Sequence, residues 1–120
     1  MKVLLNANVP HDLRPFLSDH DTLTAAYMGW AGLKNGDLLG AAEAGGFDVL
    51  LTGDKTLHHP QNMEDRKIAL LLLSAVSWPV IEPHVAKIVE AVDGAALGSF
   101  THVQCGTFSR ARKPQGPTSG

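Results

Sequence analysis

The chain has 120 residues, 44% of them hydrophobic and 18% charged, a composition that fits one globular domain and excludes a disordered chain. Its net charge of −2 is unevenly spread: Arg110, Arg112 and Lys113 lie near the C-terminus, leaving seven of the ten basic residues against all twelve acidic ones, a net of −5 for the body. Such a body repels nucleic acid unless cations neutralise it, which argues against a simple electrostatic binder and suits a protein that holds a divalent metal.

No apolar run approaches the ~20 residues that cross a bilayer, so no membrane partner is expected. The opening Met1–Leu5 is too short for a signal peptide and reads as the start of a strand. A single cysteine, Cys105, leaves no internal disulfide and no cysteine zinc cluster. These features point to the cytoplasm.

Lys2–Leu5 predicts a short apolar strand. Asn8 before Val9 and Pro10 predicts a capped helix start, with the helix ending near Leu17 because Pro15 removes a donor. His20–Thr24 alternates weakly, as a second strand does. Tyr27–Leu33 is a glycine-punctuated connection containing Trp30. Asn35-Gly36-Asp37 opens a second helix with Leu38, Leu39 and Ala42 on one side, closed by Gly45 and Gly46. Phe47–Leu51 and Lys67–Leu73 are nearly continuous apolar runs, the pattern of strands buried on both faces. From Pro79 the stripe Ile81, Val85, Ile88, Val89 and Val92 predicts one amphipathic helix. Ser99–Gln104 closes the series as a last strand. Residues 106–120, rich in Gly, Pro and Ser and without a sustained apolar pattern, read as a disordered basic tail behind a domain of residues 1–105.

Strands alternating with helices predict an α/β fold: a three-layer sandwich with a mostly parallel central sheet and helices on both faces. In such sheets, ligands gather beyond the carboxyl ends of the strands. Asn6-Ala7-Asn8 follows the first strand there, and Thr52-Gly53-Asp54-Lys55 follows the third. Asp37 lies in the first turn of the helix leading to the third strand. Asp37, Asp54 and Asn6 together offer oxygen ligands to one hard cation, Mg²⁺ or Mn²⁺. Each has a plainer role as well: helix-dipole partner for Asp37, turn former for Asp54, loop tie for Asn6 and helix cap for Asn8.

The stretches Lys2-Val-Leu-Leu-Asn-Ala-Asn-Val-Pro10, Met28-Gly-Trp-Ala-Gly-Leu-Lys-Asn-Gly-Asp-Leu-Leu39, Phe47-Asp-Val-Leu-Leu-Thr-Gly-Asp54 and Gln61-Asn62 resemble, in order and spacing, the small bacterial PIN-like domains related to toxin–antitoxin ribonucleases. The resemblance covers most of residues 1–80. It implies a PIN-like fold and a metal-dependent endoribonuclease in which acidic residues hold Mg²⁺ or Mn²⁺ to activate a water on RNA. Asp37 and Asp54 match two acidic positions, and Asn8, Lys55, Gln61 and Asn62 would line the cleft. The first strand in that family typically ends Asp-Glu-Asn; here Asn6 and Ala7 replace the two acids. A divalent ion about 4 Å from a carboxylate gains roughly 8 kcal/mol gross at an effective dielectric near 20, before desolvation. Asparagine loses most of that, so the resemblance implies a weakened metal site.

The competing reading is an inactive PIN-like binding module that pairs with itself as a homodimer or with a small antitoxin-like protein. A third is a phosphoacceptor domain of the response-regulator receiver type, with Asp54 as acceptor and Ser74 after the next strand. It lacks the acidic pair after the first strand and a lysine after the last. His58 and His59 read as a solvated loop pair, Trp30 as a cover for the core edge, and Cys105 as unreactive, having no basic neighbour.

Overall fold

The computed structural model describes residues 1–53 and 66–106. Asp54, Lys55, His58, His59, Gln61, Asn62 and residues 107–120 lie outside the described residues, and with them the expectations placed on those positions.

Five strands form one sheet: β1 (Lys2–Leu5), β2 (Asp21–Thr24), β3 (Val49–Thr52), β4 (Ala69–Leu73) and β5 (Phe100–Val103), in the order β2-β1-β3-β4-β5. All four neighbouring pairs are parallel. Every residue of β3 and β4 is buried, which explains their unbroken apolar runs. The edge strands β2 and β5 carry the polar residues Asp21, Thr101 and His102 at exposed positions.

The pleat divides the core into two layers. On one face a 3₁₀ helix (His11–Leu17), α2 (Trp78–Ile81) and α3 (Val85–Asp93) bury Leu13, Leu17, Ile81, Val85, Ile88 and Val92 against Val3, Leu5, Val49, Leu51, Leu71 and Leu73. On the other, α1 (Asn35–Ala44) sets Leu38, Leu39 and Ala42 with Phe47 on Leu4, Leu50, Ile68 and Leu70. The three-layer α/β arrangement expected from the sequence is present, and among the described residues no helix is long and apolar enough to cross a membrane.

The crossovers do not share one hand. From β1 to β2 the chain steps one way along the sheet, and from β2 to β3 it steps the other way; their helices lie on opposite faces, so these two crossovers have the same hand. The β4-to-β5 step runs in the direction of β2-to-β3, yet α2 and α3 lie on the face opposite α1. This last crossover therefore has the opposite hand to the other two, whereas about 98% of parallel connections share one hand.

Three local expectations are corrected. The first helical segment is 3₁₀ and uncapped by a side chain, with Pro10 at its start in an extended conformation; Asn8 is not the cap. Pro15 lies inside it, where an α-helix would need the missing N–H and would crowd the ring against the carbonyl of His11. The helix expected from Pro79 is broken into α2, a 3₁₀ turn (Glu82–His84) and α3, because Pro83 has no N–H for the carbonyl of Pro79. Its apolar stripe survives the break. Finally, β3 begins at Val49, not Phe47. Gly46 (φ +82°) sends its N–H to the Glu43 carbonyl while Phe47 N–H reaches Ala42, a Schellman closure of α1 that commits Phe47 to the helix end.

Candidate functional site

β1 lies between β2 and β3; the chain leaves β1 over one face, through the 3₁₀ helix to β2, and returns to β3 over the other, through α1. The β1/β3 boundary is thus the topological switch point, where ligands bind in open α/β sheets. Asn6 and Thr52 meet there. Asn6 N–H continues the ladder to the Leu51 carbonyl (2.9 Å), which keeps the alternation of β1 running one residue further and sets the Asn6 side chain on the Leu4 and α1 side. Its Nδ2 donates to Thr52 Oγ1 at 2.8 Å, and its Oδ1 accepts from Ala7 N–H at 2.7 Å. Asn8 Oδ1 accepts from Gly53 N–H at 3.2 Å, so both asparagines of Asn6-Ala7-Asn8 tie the end of β1 into its own loop and to the end of β3. The loop ties weighed as the plain role of Asn6 are present, and Asn8 makes one too.

Gly53 fits this position because nothing larger does. A Cβ there would lie 2.1 Å from Val76 Cγ1, in the segment that follows β4. The sequence signal was the Thr-Gly pair itself, read as a turn; the close approach of two strand ends is the reason for it.

Asp37 is exposed, in the first turn of α1, whose start has no side-chain cap. Because α1 runs from the end of β2 to the start of β3, its N-terminal turn lies at the carboxyl edge of the sheet, on the face that also carries Asn6 and Thr52. Among the described residues, no three His, Cys, Asp or Glu side chains gather closely enough to hold a metal; of the three expected ligands, Asn6 and Asp37 are described and one of these is an amide.

The other candidates resolve individually. Trp30 is half-buried, edge-on to Phe47 at 5.9 Å between ring centroids, and its ring tip lies 3.1 Å from where a Gly45 Cβ would be; it covers the core edge. Ser74 is committed to structure: its Oγ donates to the Gly106 carbonyl and accepts from Cys105 N–H at 3.0 Å. Cys105 is fully buried. A groove of about 720 Å³ between α3 and the outer edge of β5 is lined by Lys87, Glu90, Ala91 and His102, and includes none of the expected site residues. Sequence reasoning passed over Tyr27, which stands at the carboxyl edge just beyond β2 and is 77% exposed; its position directly after a strand was the available signal.

No family model, no curated protein and no solved structure matches the chain.

The receiver-type alternative loses ground on topology as well as chemistry. Its strand order is compatible with 2-1-3-4-5, but a doubly wound fold with right-handed connections would place α1 and α3 on one face. Residues 101–106 also contain no lysine.

Proposed function

We propose that the chain is a PIN-like domain acting as a divalent-metal-dependent endoribonuclease with a weakened metal site. The observation that carries the reading is the adjacency of β1 and β3, which makes neighbours of the loops that begin at Asn6 and Gly53, with Asp37 at the same sheet edge and on the face of Asn6. In this reading Asp54, next in sequence to Gly53, would serve with Asp37 as an acidic ligand of Mg²⁺ or Mn²⁺, and Asn6 would offer an oxygen in place of a charge. The metal would supply a water acidic enough to lose a proton, so that the hydroxide could attack phosphorus as the departing ribose oxygen leaves. Asp37 and Asp54 would hold the ion, and Thr52 would fix the Asn6 amide.

A second reading is favoured by one observation: both heteroatoms of the Asn6 amide are already hydrogen-bonded within the protein, as in a residue kept for structure. This is the non-catalytic binding module, pairing with a second copy or a small antitoxin-like protein. One assay separates the two. Purified protein with Mn²⁺ is incubated with labelled RNA, alongside Asp37→Ala, Asp54→Ala and Asn6→Asp. Wild-type cleavage that both alanine variants abolish supports the nuclease. Cleavage by Asn6→Asp alone identifies a decayed site and favours the binding module. If neither the wild type nor Asn6→Asp cleaves, the nuclease reading fails.

A further inference from the structure

We propose that Tyr27 is a base-stacking platform at the carboxyl edge of the sheet, in the turn that follows β2 beside the end of β1, and that it binds single-stranded RNA there. This rests on the ribonuclease reading above, and the test below separates the two.

Among the described residues, Tyr27 is the most exposed of the large apolar or aromatic side chains: 77% of it meets solvent, against 57% for Leu97 and 49% for Phe16. Its backbone is nevertheless pinned. Tyr27 N–H donates to Thr24 Oγ1 at 3.1 Å, Met28 N–H to the Thr24 carbonyl at 3.2 Å, and Trp30 N–H to the Ala25 carbonyl at 2.8 Å. Gly29, at φ +77°, supplies the left-handed residue that lets this turn close. The turn is fastened to the site itself, since Ala25 N–H donates to the Leu5 carbonyl (2.8 Å), one residue before Asn6. Below it, Ala25 is buried, and Met28 and Trp30 pack against the α1 layer of the core. A rigid base therefore presents an aromatic ring to water at the carboxyl edge, next to the end of β1, at low conformational cost to any ligand that covers it. Trp30, the other ring of this loop, is occupied by Phe47 and Gly45 and is not available to a base.

Charge gives the ring a reason. A body with seven basic and twelve acidic residues cannot hold RNA by phosphate contacts alone. Stacking on an aromatic face needs no charge on the protein and tolerates any base. It also requires an unpaired base, which selects single strands over duplex. Lys34, exposed at the start of α1 in the same loop, is the nearest cation in sequence for an adjoining phosphate.

The test is fluorescence anisotropy with a labelled oligouridylate in Ca²⁺, which screens the acidic body, with the oligonucleotide checked on a gel so that binding is read without cleavage. Wild type, Tyr27→Phe and Tyr27→Ala are compared, with a duplex of the same length as competitor. Alanine should weaken binding about fivefold or more, phenylalanine should stay within about twofold, and duplex should compete poorly. Circular dichroism melting should show all three proteins equally folded. Equal affinity of wild type and Tyr27→Ala, or no binding of the oligouridylate by wild type, overturns the proposal. So does a self-association that Tyr27→Ala abolishes while RNA affinity is unchanged, which would assign the ring to a protein contact. Tyr27-dependent binding without cleavage in Mn²⁺ leaves the platform standing and removes the nuclease; cleavage with a Tyr27-independent KM does the reverse.

Discussion

Gly53 and Val76 touch so closely that the two strand ends β3 and β4 can meet only with a glycine at position 53: a methyl group added there would fall 2.1 Å from Val76 Cγ1. Val76 is β-branched and cannot swing its Cγ1 aside without leaving its preferred rotamer. Gly53→Ala should therefore destabilise the protein by about 1–3 kcal/mol, read from urea unfolding. Adding Val76→Ala should recover much of that loss, because the two sites share one contact.

The Asn6 amide bridges two strands, so its removal and its replacement by an acid should differ. Asn6→Ala deletes the bonds to Thr52 and Ala7 and should cost about 1–2 kcal/mol. Asn6→Asp keeps an acceptor for Ala7 N–H and gives up only the donor to Thr52. It should unfold within about 1 kcal/mol of wild type in EDTA and gain a larger rise in Tm on adding Mn²⁺ than wild type does.

Gly106 should tolerate no side chain. Its φ is +103°, and a Cβ would lie 2.8 Å from both Val80 Cγ1 and the Val80 carbonyl oxygen. Backbone strain and a backbone clash add, so Gly106→Ala should cost about 2 kcal/mol or more in chemical denaturation. Ser74→Ala, which removes the ties to Cys105 and Gly106, should cost about 1–2 kcal/mol.

At the opposite edge of the sheet, Glu43 of α1 accepts from Arg66 at 3.0 Å and from Lys67 N–H at 2.6 Å, holding the approach to β4. Both side chains of the ion pair are nearly a third exposed, so water screens it. Glu43→Ala should lower stability by about 1 kcal/mol, and the gap from wild type should narrow in high salt.

Much of the architecture could be read in advance because it follows from periodicity. The buried runs of β3 and β4, the Leu38, Leu39 and Ala42 face of α1, and the stripe through Ile81, Val85, Ile88 and Val92 all occupy the core. Prolines set two of the errors. Pro15 and Pro83 each interrupt a hydrogen-bond ladder that an apolar pattern cannot register, and 3₁₀ turns result. Nor could the pattern reveal the opposite hand of the last crossover, since it fixes which residues are apolar and not which face they cover. At the candidate site, Asn8 shows the limit of local reasoning: a cap by neighbourhood in sequence, it is a cross-strand tie by neighbourhood in space.

The sheet order also governs how the chain must assemble. Val3 pairs with Thr22 on one side and Val49 on the other, and Leu70 must wait for Phe100. Among the described residues no strand finds its partner through a tight hairpin, so each ladder closes a long loop before any of its hydrogen bonds form. During synthesis the apolar segment Val3–Leu5 meets its second sheet partner, Val49–Leu51, only after all the chain between them has followed. Folding should accordingly be slow for a chain of this length, and the growing chain is most prone to aggregate during that interval.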